Sequence, residues 1–139
     1  MADTGKYFIL KVISPDRIFF EGEADMVEVK TTEGEMGVLK GHIPLTAILS
    51  PGVLRIMKDG ETKEAALHEG FIEVLEDEVT ILAEACEWPE EIDINRAEEA
   101  RIRAERRLRS GSQEYNPVRA EMALRKALIR IELAEKYKK

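Results

Sequence analysis

Val79-Thr80-Ile81-Leu82-Ala83-Glu84-Ala85-Cys86-Glu87-Trp88-Pro89-Glu90-Glu91-Ile92-Asp93-Ile94-Asn95-Arg96-Ala97 changes its grammar at Trp88-Pro89. Before that point the residues are β-branched and apolar, in a short run of the kind strands use. After it, β-branched residues thin out and Ala, Arg, Glu and Leu take over, which are strong helix formers. One chain therefore carries two architectures, with the expected boundary between residues 1–88 and 89–139.

Working back from the boundary, Gly70-Phe71-Ile72-Glu73-Val74 and Val79–Ala83 flank the acidic turn Glu76-Asp77-Glu78. Val53-Leu54-Arg55-Ile56-Met57 runs into Lys58-Asp59-Gly60-Glu61, where Asp-Gly supplies positive φ at low steric cost and predicts a tight hairpin. Met26-Val27-Glu28-Val29-Lys30-Thr31 alternates, with Val27, Val29 and Thr31 on one face. Tyr7–Ile13 is a β-rich run ended by Ser14-Pro15-Asp16, and Arg17–Glu21 follows. His68 lies in another strand-like run. Many short strands with closely spaced turns favour a sandwich or barrel.

Working forward, Asp93 is the expected N-cap of a first helix. Ile94, Ala97, Ala100 or Arg101, Ala104 and Leu108 recur along one face. Ser110-Gly111-Ser112-Gln113 breaks the helix, and Asn116-Pro117 restarts it, with Pro at the first helical position. Ala120, Ala123, Leu124, Ala127, Ile131 and Ala134 form a second stripe. A short connection predicts an antiparallel helical hairpin. Alanine stripes let helices approach closely but bury little area each, at about 25 cal/mol per Å², so the hairpin reads as a mobile, switchable element or else as a solubilising tail.

Charge divides the same way. Residues 1–89 hold 8 Lys and Arg against 18 Asp and Glu, a balance of −10, whereas residues 90–139 hold 13 against 10, a balance of +3. The acidic part repels phosphate backbones, which argues against nucleic-acid binding. No apolar run approaches the roughly 20 residues of a bilayer span. Residues 1–6 lack the basic-then-apolar pattern of a secretory signal. The single Cys86 cannot form an intramolecular disulfide, pointing to a reducing compartment.

Catalytic chemistry finds little support. One Cys and two His offer no triad, and Cys86 has no adjacent cation to activate it. Metal spacings such as CxxC or HExxH are absent. Gly34, Gly37 and Gly41 match no phosphate loop and read as positive-φ positions in loops. Arg96 and Arg103 are seven apart, two turns along one helix face, while Lys126 and Arg130 are four apart on the second helix. In an antiparallel hairpin the two pairs would converge on an anion such as a triphosphate. The bland alternative is a solvated face paired with Glu98, Glu99 and Glu105.

Glu33-Gly34-Glu35-Met36-Gly37-Val38-Leu39-Lys40-Gly41-His42-Ile43-Pro44-Leu45 resembles the GELGIxPGHxPL signature of rotary F-type ATP synthase ε subunits. Residues 70–74 with 79–84, residues 92–97 running on to 104–108, and residues 119–124 agree in order. The resemblance implies a β-sandwich of about ten strands followed by two antiparallel helices. It implies a non-catalytic subunit of the central stalk, peripheral at the cytoplasmic membrane face and without direct membrane insertion. It also implies binding to the γ subunit and the c-ring, with Glu35 and His42, in a loop matching residues 35–42, as interface candidates. Extended along γ, the helices of such subunits reach the catalytic α and β subunits and block hydrolysis. Arg119, Arg125, Lys126 and Arg130 are the contact candidates for that state.

No cofactor is required, but some members bind ATP on the folded hairpin through an I/L-D-x-x-R-A motif. Ile92, Asp93, Arg96 and Ala97 fit it, and Glu87, Arg103, Lys126 and Arg130 complete the implied set. Lys126 departs from the arginine of ATP-binding members, keeping the charge but losing the planar fork. Rival readings are a free-standing protein- or nucleic-acid-binding module, with the basic hairpin as reader, and a small hydrolase using His42.

Overall fold

A computed structural model describes residues 5–138; residues 1–4 and 139 lie outside the description. The chain forms two compact units, dividing between Cys86 and Glu87.

The first unit is built on a sheet of ten strands. These are β1 (Phe8–Ser14), β2 (Arg17–Ala24), β3 (Met26–Thr31), β4 (Gly34–Leu39), β5 (Leu45–Leu49), β6 (Gly52–Lys58), β7 (Glu61–Leu67), β8 (Gly70–Val74), β9 (Glu78–Ala83) and the short β10 (Cys86–Glu87). The order is β10-β7-β6-β3-β5-β8-β9-β1-β2, with β4 on β3. Strand β3 is the corner: Met26–Glu28 pair with β6, Thr31 pairs with Leu49 of β5, and the whole strand pairs with β4. β1 runs parallel to β9, and β8 pairs antiparallel with both β5 and β9. The sheet curls into a near-barrel sandwich, as a curved sheet must to bury one face.

Alternation fills the interior. Phe8, Leu10 and Val12 of β1 point inward, as do Val27 and Val29 of β3, Leu54 and Ile56 of β6, Ile72 and Val74 of β8, and Val79 and Ile81 of β9. Each large side chain fully buried this way contributes about 1.5–3 kcal/mol. Asp59 and Gly60 both take positive φ, 52° and 82°, as the two-residue β6–β7 turn requires. Lys6 and Tyr7 reach this turn: Lys6 Nζ sits 2.9 Å from Asp59, and the Tyr7 hydroxyl donates to the same carboxylate.

Three sequence expectations change. The stretch 35–42 is not one loop, because Gly34–Leu39 pairs with β3 as a strand and only residues 40–44 remain as a turn. Gly37 is not a positive-φ glycine; a Cβ there would meet the Met26 methyl at 2.7 Å, the far end of a flexible side chain that would have to swing aside. His68 follows β7 rather than lying in it, and is buried.

The second unit begins at Glu87, passes through a 3-10 turn (Pro89–Glu91), and forms α1 (Ile94–Ser110) and α2 (Pro117–Lys136). Asp93 caps α1 by accepting from the Arg96 amide at 3.1 Å, and Asn116 caps α2 by accepting from Val118 and Arg119. Gly111 ends α1 in the left-handed region at φ 62°. Buried positions are Ala97 and Ala104 on α1, and Ala120, Ala127, Leu133 and Ala134 on α2. The seven-residue spacing of these alanines is the seam of a close helix pair. Leu108 and Ala123, expected on the stripes, are exposed, while Leu133 is buried instead.

Candidate functional site

Within the helical unit a cleft of about 370 Å³ is lined by Glu87, Glu91, Asp93, Arg96, Ala97, Ala100, Arg103 and Arg130. Its position follows from local folding. The 3-10 turn brings Glu87 and Glu91 to the start of α1. Arg96 and Arg103 rise two turns apart on that helix, about 10 Å along its axis. The antiparallel return of α2 delivers Arg130. The small side chains of Ala97 and Ala100 leave the floor open.

The charges in the cleft are not equivalent. Glu91 accepts from the Trp88 amide at 2.9 Å, and Asp93 spends an oxygen on its cap. Glu87 Oε1 sits 2.5 Å from Arg130 Nε. Arg96 and Arg103 have no carboxylate within ion-pair distance among the described residues. Arg101, on the same helix, is held between Glu98 at 3.0 Å and Glu105 at 2.8 Å. The hydrogen bond that Arg101 donates to Glu98 leads in raising its pKa. The arrangement therefore sets two arginines free to meet an anion, holds a third on a carboxylate, and removes a fourth.

Six of the eight residues expected around a nucleotide thus line one cleft: Glu87, Asp93, Arg96, Ala97, Arg103 and Arg130. Ile92 and Lys126 do not line it; Ile92 is buried and Lys126 half-buried. Glu91 and Ala100 were missed, although Ala100 stands one turn beyond Arg96 and could have been found by helical spacing. Arg119 and Arg125 are exposed on α2, with Arg125 3.9 Å from Glu121. Among the described residues no group of three or more His, Cys, Asp or Glu could hold a metal ion.

On the sandwich, Glu35 and His42 stand at opposite ends of β4 and are not brought together. Glu35 is exposed opposite Lys30. His42 Nδ1 lies 2.8 Å from the Ile43 carbonyl oxygen, which places the proton on Nδ1. The turn carrying His42 is tied to the β8–β9 turn by the Gly41 amide, 3.1 Å from the Glu76 carbonyl. That end of the sandwich exposes Leu39, Ile43 and Leu75, with Ile43 at 78%. A second apolar feature runs across three strands: Ile48 pairs with Phe71 and Phe71 with Leu82, all exposed. Alternation marks these residues as outward, but only the strand order sets them side by side. No described helix is long and apolar enough to cross a membrane.

These features define a helical unit with an anion-ready cleft, attached to a sandwich with exposed apolar surfaces. The family model for the ATP synthase, Delta/Epsilon chain, beta-sandwich domain matches residues 7–89, and that for the long alpha-helix domain matches residues 90–135. The chain belongs to the ATP synthase delta/epsilon chain family. Among curated relatives, the ATP synthase epsilon chain of Caldanaerobacter subterraneus subsp. tengcongensis is 50% identical over 133 residues, covering 95% of this chain and 96% of that one. The epsilon chain of Halalkalibacterium halodurans is 48% identical over 126 residues, covering 90% and 95%. A chain in the cryo-EM structure of Euglena gracilis mitochondrial ATP synthase, OSCP/F1/c-ring, superposes with a TM-score of 0.81 at 26% identity, over 94% of this chain and 82% of that one. A chain in the Tetrahymena thermophila mitochondrial ATP synthase central stalk and c-ring structure superposes at 0.57 with 16% identity over 95% and 96%, a likeness of fold alone. As an epsilon-type chain it is a subunit and not an enzyme by itself.

Proposed function

We propose that this chain is the rotor subunit that fastens γ to the c-ring in a proton-translocating F-type ATP synthase at the cytoplasmic face of the cell membrane. In this reading its helical unit is an ATP-gated brake on hydrolysis. The observation that carries the gating is the convergence of Arg96, Arg103 and Arg130 on one cleft. Three guanidiniums around a floor of small side chains suit a polyphosphate, which accepts bidentate bonds from each.

The sandwich is the docking platform. The apolar end at Leu39, Ile43 and Leu75 and the row Ile48–Phe71–Leu82 supply desolvatable surface of the kind stable interfaces use. His42 lies beside the first of these surfaces and Glu35 at the other end of β4, and each is a separate candidate for orienting a partner. With α1 and α2 paired, the cleft exists and ATP binds. With the helices separated along γ, the cleft is lost, and Arg119, Arg125, Lys126 and Arg130 meet acidic residues of the α and β subunits. ATP that binds only the paired form favours it by RT ln(1 + [ATP]/Kd), about 1.4 kcal/mol at ten times Kd. Falling ATP then releases the brake arm.

Calorimetric titration of the isolated protein with millimolar ATP tests the gating. Heat of binding and a raised melting temperature are expected, both abolished in Arg96→Ala and Arg103→Ala. No heat and no shift in the unaltered protein would remove the gate while leaving the family membership intact.

A further inference from the structure

The hairpin of α1 and α2 ends in a tip that is both basic and apolar. Residues 106–119 hold Arg106, Arg107, Arg109 and Arg119 against Glu114 alone, a balance of +3. All four arginines are exposed, and none has a carboxylate within ion-pair distance among the described residues. The acids nearby are engaged elsewhere, Glu105 with Arg101 at 2.8 Å and Glu121 with Arg125 at 3.9 Å. Arg107 and Arg109 complement the dipole at the end of α1, but Arg119 stands in the first turn of α2, where a cation opposes it. Helix stability therefore does not account for the whole cluster. Beside the arginines the tip exposes Val118 at 70%, and Tyr115 and Leu108 to a lesser degree. Arg107 lies 5.2 Å from the centre of the Tyr115 ring, which ties the connecting loop to α1.

We infer that the tip of the helical hairpin is a docking surface for an anionic lipid bilayer. Guanidiniums interleaved with exposed apolar side chains match the headgroup boundary, where phosphates meet the first and the edge of the acyl region accepts the second. Nucleic acid offers phosphate but nothing for Val118 and Leu108. Its bases would stack on aromatic faces, and the one aromatic residue among 106–119, Tyr115, already carries Arg107. The strand unit, at −10 over residues 1–89, is repelled by the same bilayer, so the contact is confined to the helical unit. Arg119 then serves either the bilayer or, in the reading above, the acidic residues of α and β, and not both at once.

The probes are vesicles of phosphatidylglycerol alone and of phosphatidylcholine alone, cosedimented with the full chain across a salt series. Binding is expected to phosphatidylglycerol only, falling as salt rises. Arg106→Gln and Arg119→Gln should each weaken it about fivefold, the worth of one cation at an anionic surface. Lys63→Gln removes the same charge from β7 and should leave binding unchanged. Val118→Ser should weaken it about threefold while keeping the salt dependence, because apolar contact is not screened.

No binding to phosphatidylglycerol, or equal binding to phosphatidylcholine, overturns the docking surface. Equal losses from Lys63→Gln and Arg106→Gln overturn it too, because total charge would then be the cause. Val118→Ser without effect also overturns it: the tip then meets any polyanion, and a duplex DNA oligonucleotide should bind as tightly as the vesicles. Circular dichroism of each variant separates lost helix from lost affinity. Each of these failures leaves the family membership and the nucleotide reading of the cleft untouched.

Discussion

Gly70 opens β8 at a point where β9 comes unusually near. A Cβ there would lie 1.9 Å from the Leu82 carbonyl oxygen and 2.7 Å from the Ala83 Cα, both backbone atoms that cannot swing aside. Gly70→Ala should therefore destabilise the sandwich by about 3 kcal/mol, read from the urea midpoint at constant slope. A loss below about 1 kcal/mol would mean the strands can part there. Asp59 makes a different prediction. The Tyr7 hydroxyl, then Lys6, holds its carboxyl below the usual carboxylate range. A depressed folded pKa adds stability above the unfolded value of about 3.9, and that share disappears as pH falls through the folded pKa. The stability gap between the unaltered protein and Asp59→Asn should be steady from pH 7 to pH 5 and narrow below pH 4. Thermal melts across that range check it, and a gap that widens on acidification would contradict the assignment.

At the scale of elements, the two helices owe their ends to named residues. Asn116 satisfies two amides at the start of α2, and Gly111 closes α1 at positive φ. The seam between them is mostly alanine, so little buried area compensates for a lost cap. Asn116→Ala should cost the helical unit about 1 kcal/mol. Helical signal should then melt earlier while the strand signal keeps its midpoint. Equal shifts in both would show that the two units unfold as one. Much of this was legible in the sequence. Asp93, Asn116-Pro117 and Ser110-Gly111 announce their caps and breaks through local chemistry alone. The stripes were less legible. Leu108 and Ala123 have helical spacing for the seam yet are exposed, and Leu133 is buried, because a stripe broad enough to satisfy periodicity does not say which edge faces the neighbour.

At the scale of the molecule, the division between Cys86 and Glu87 separates an acidic strand unit from a more basic helical one. If the sandwich alone fastens the rotor, truncation after Trp88 should leave assembly and ATP synthesis intact. Hydrolysis at low ATP should rise several-fold relative to the complete chain. Inhibition by the complete chain should also weaken with salt, since exposed charges such as Arg119 and Arg125 steer through screened fields. ATPase assays of reconstituted complexes, with and without residues 89–139, check both. Hydrolysis unaffected by truncation would remove the brake.

The amino-acid order alone determined the strand-to-helix transition, the Asp59-Gly60 turn, the helix caps and the set of arginines facing one way along α1. Each of these depends on neighbours a few residues off, where backbone geometry is dictated locally. Tertiary structure alone decided that Gly34–Leu39 is a strand, since β3 supplies the hydrogen bonds that make it one. It alone decided that Ile48, Phe71 and Leu82 form a continuous row, which depends on strand order. It also decided that Arg130 meets Glu87 while Lys126 stays outside the cleft, because residues far apart in the chain become neighbours only when the helices pack.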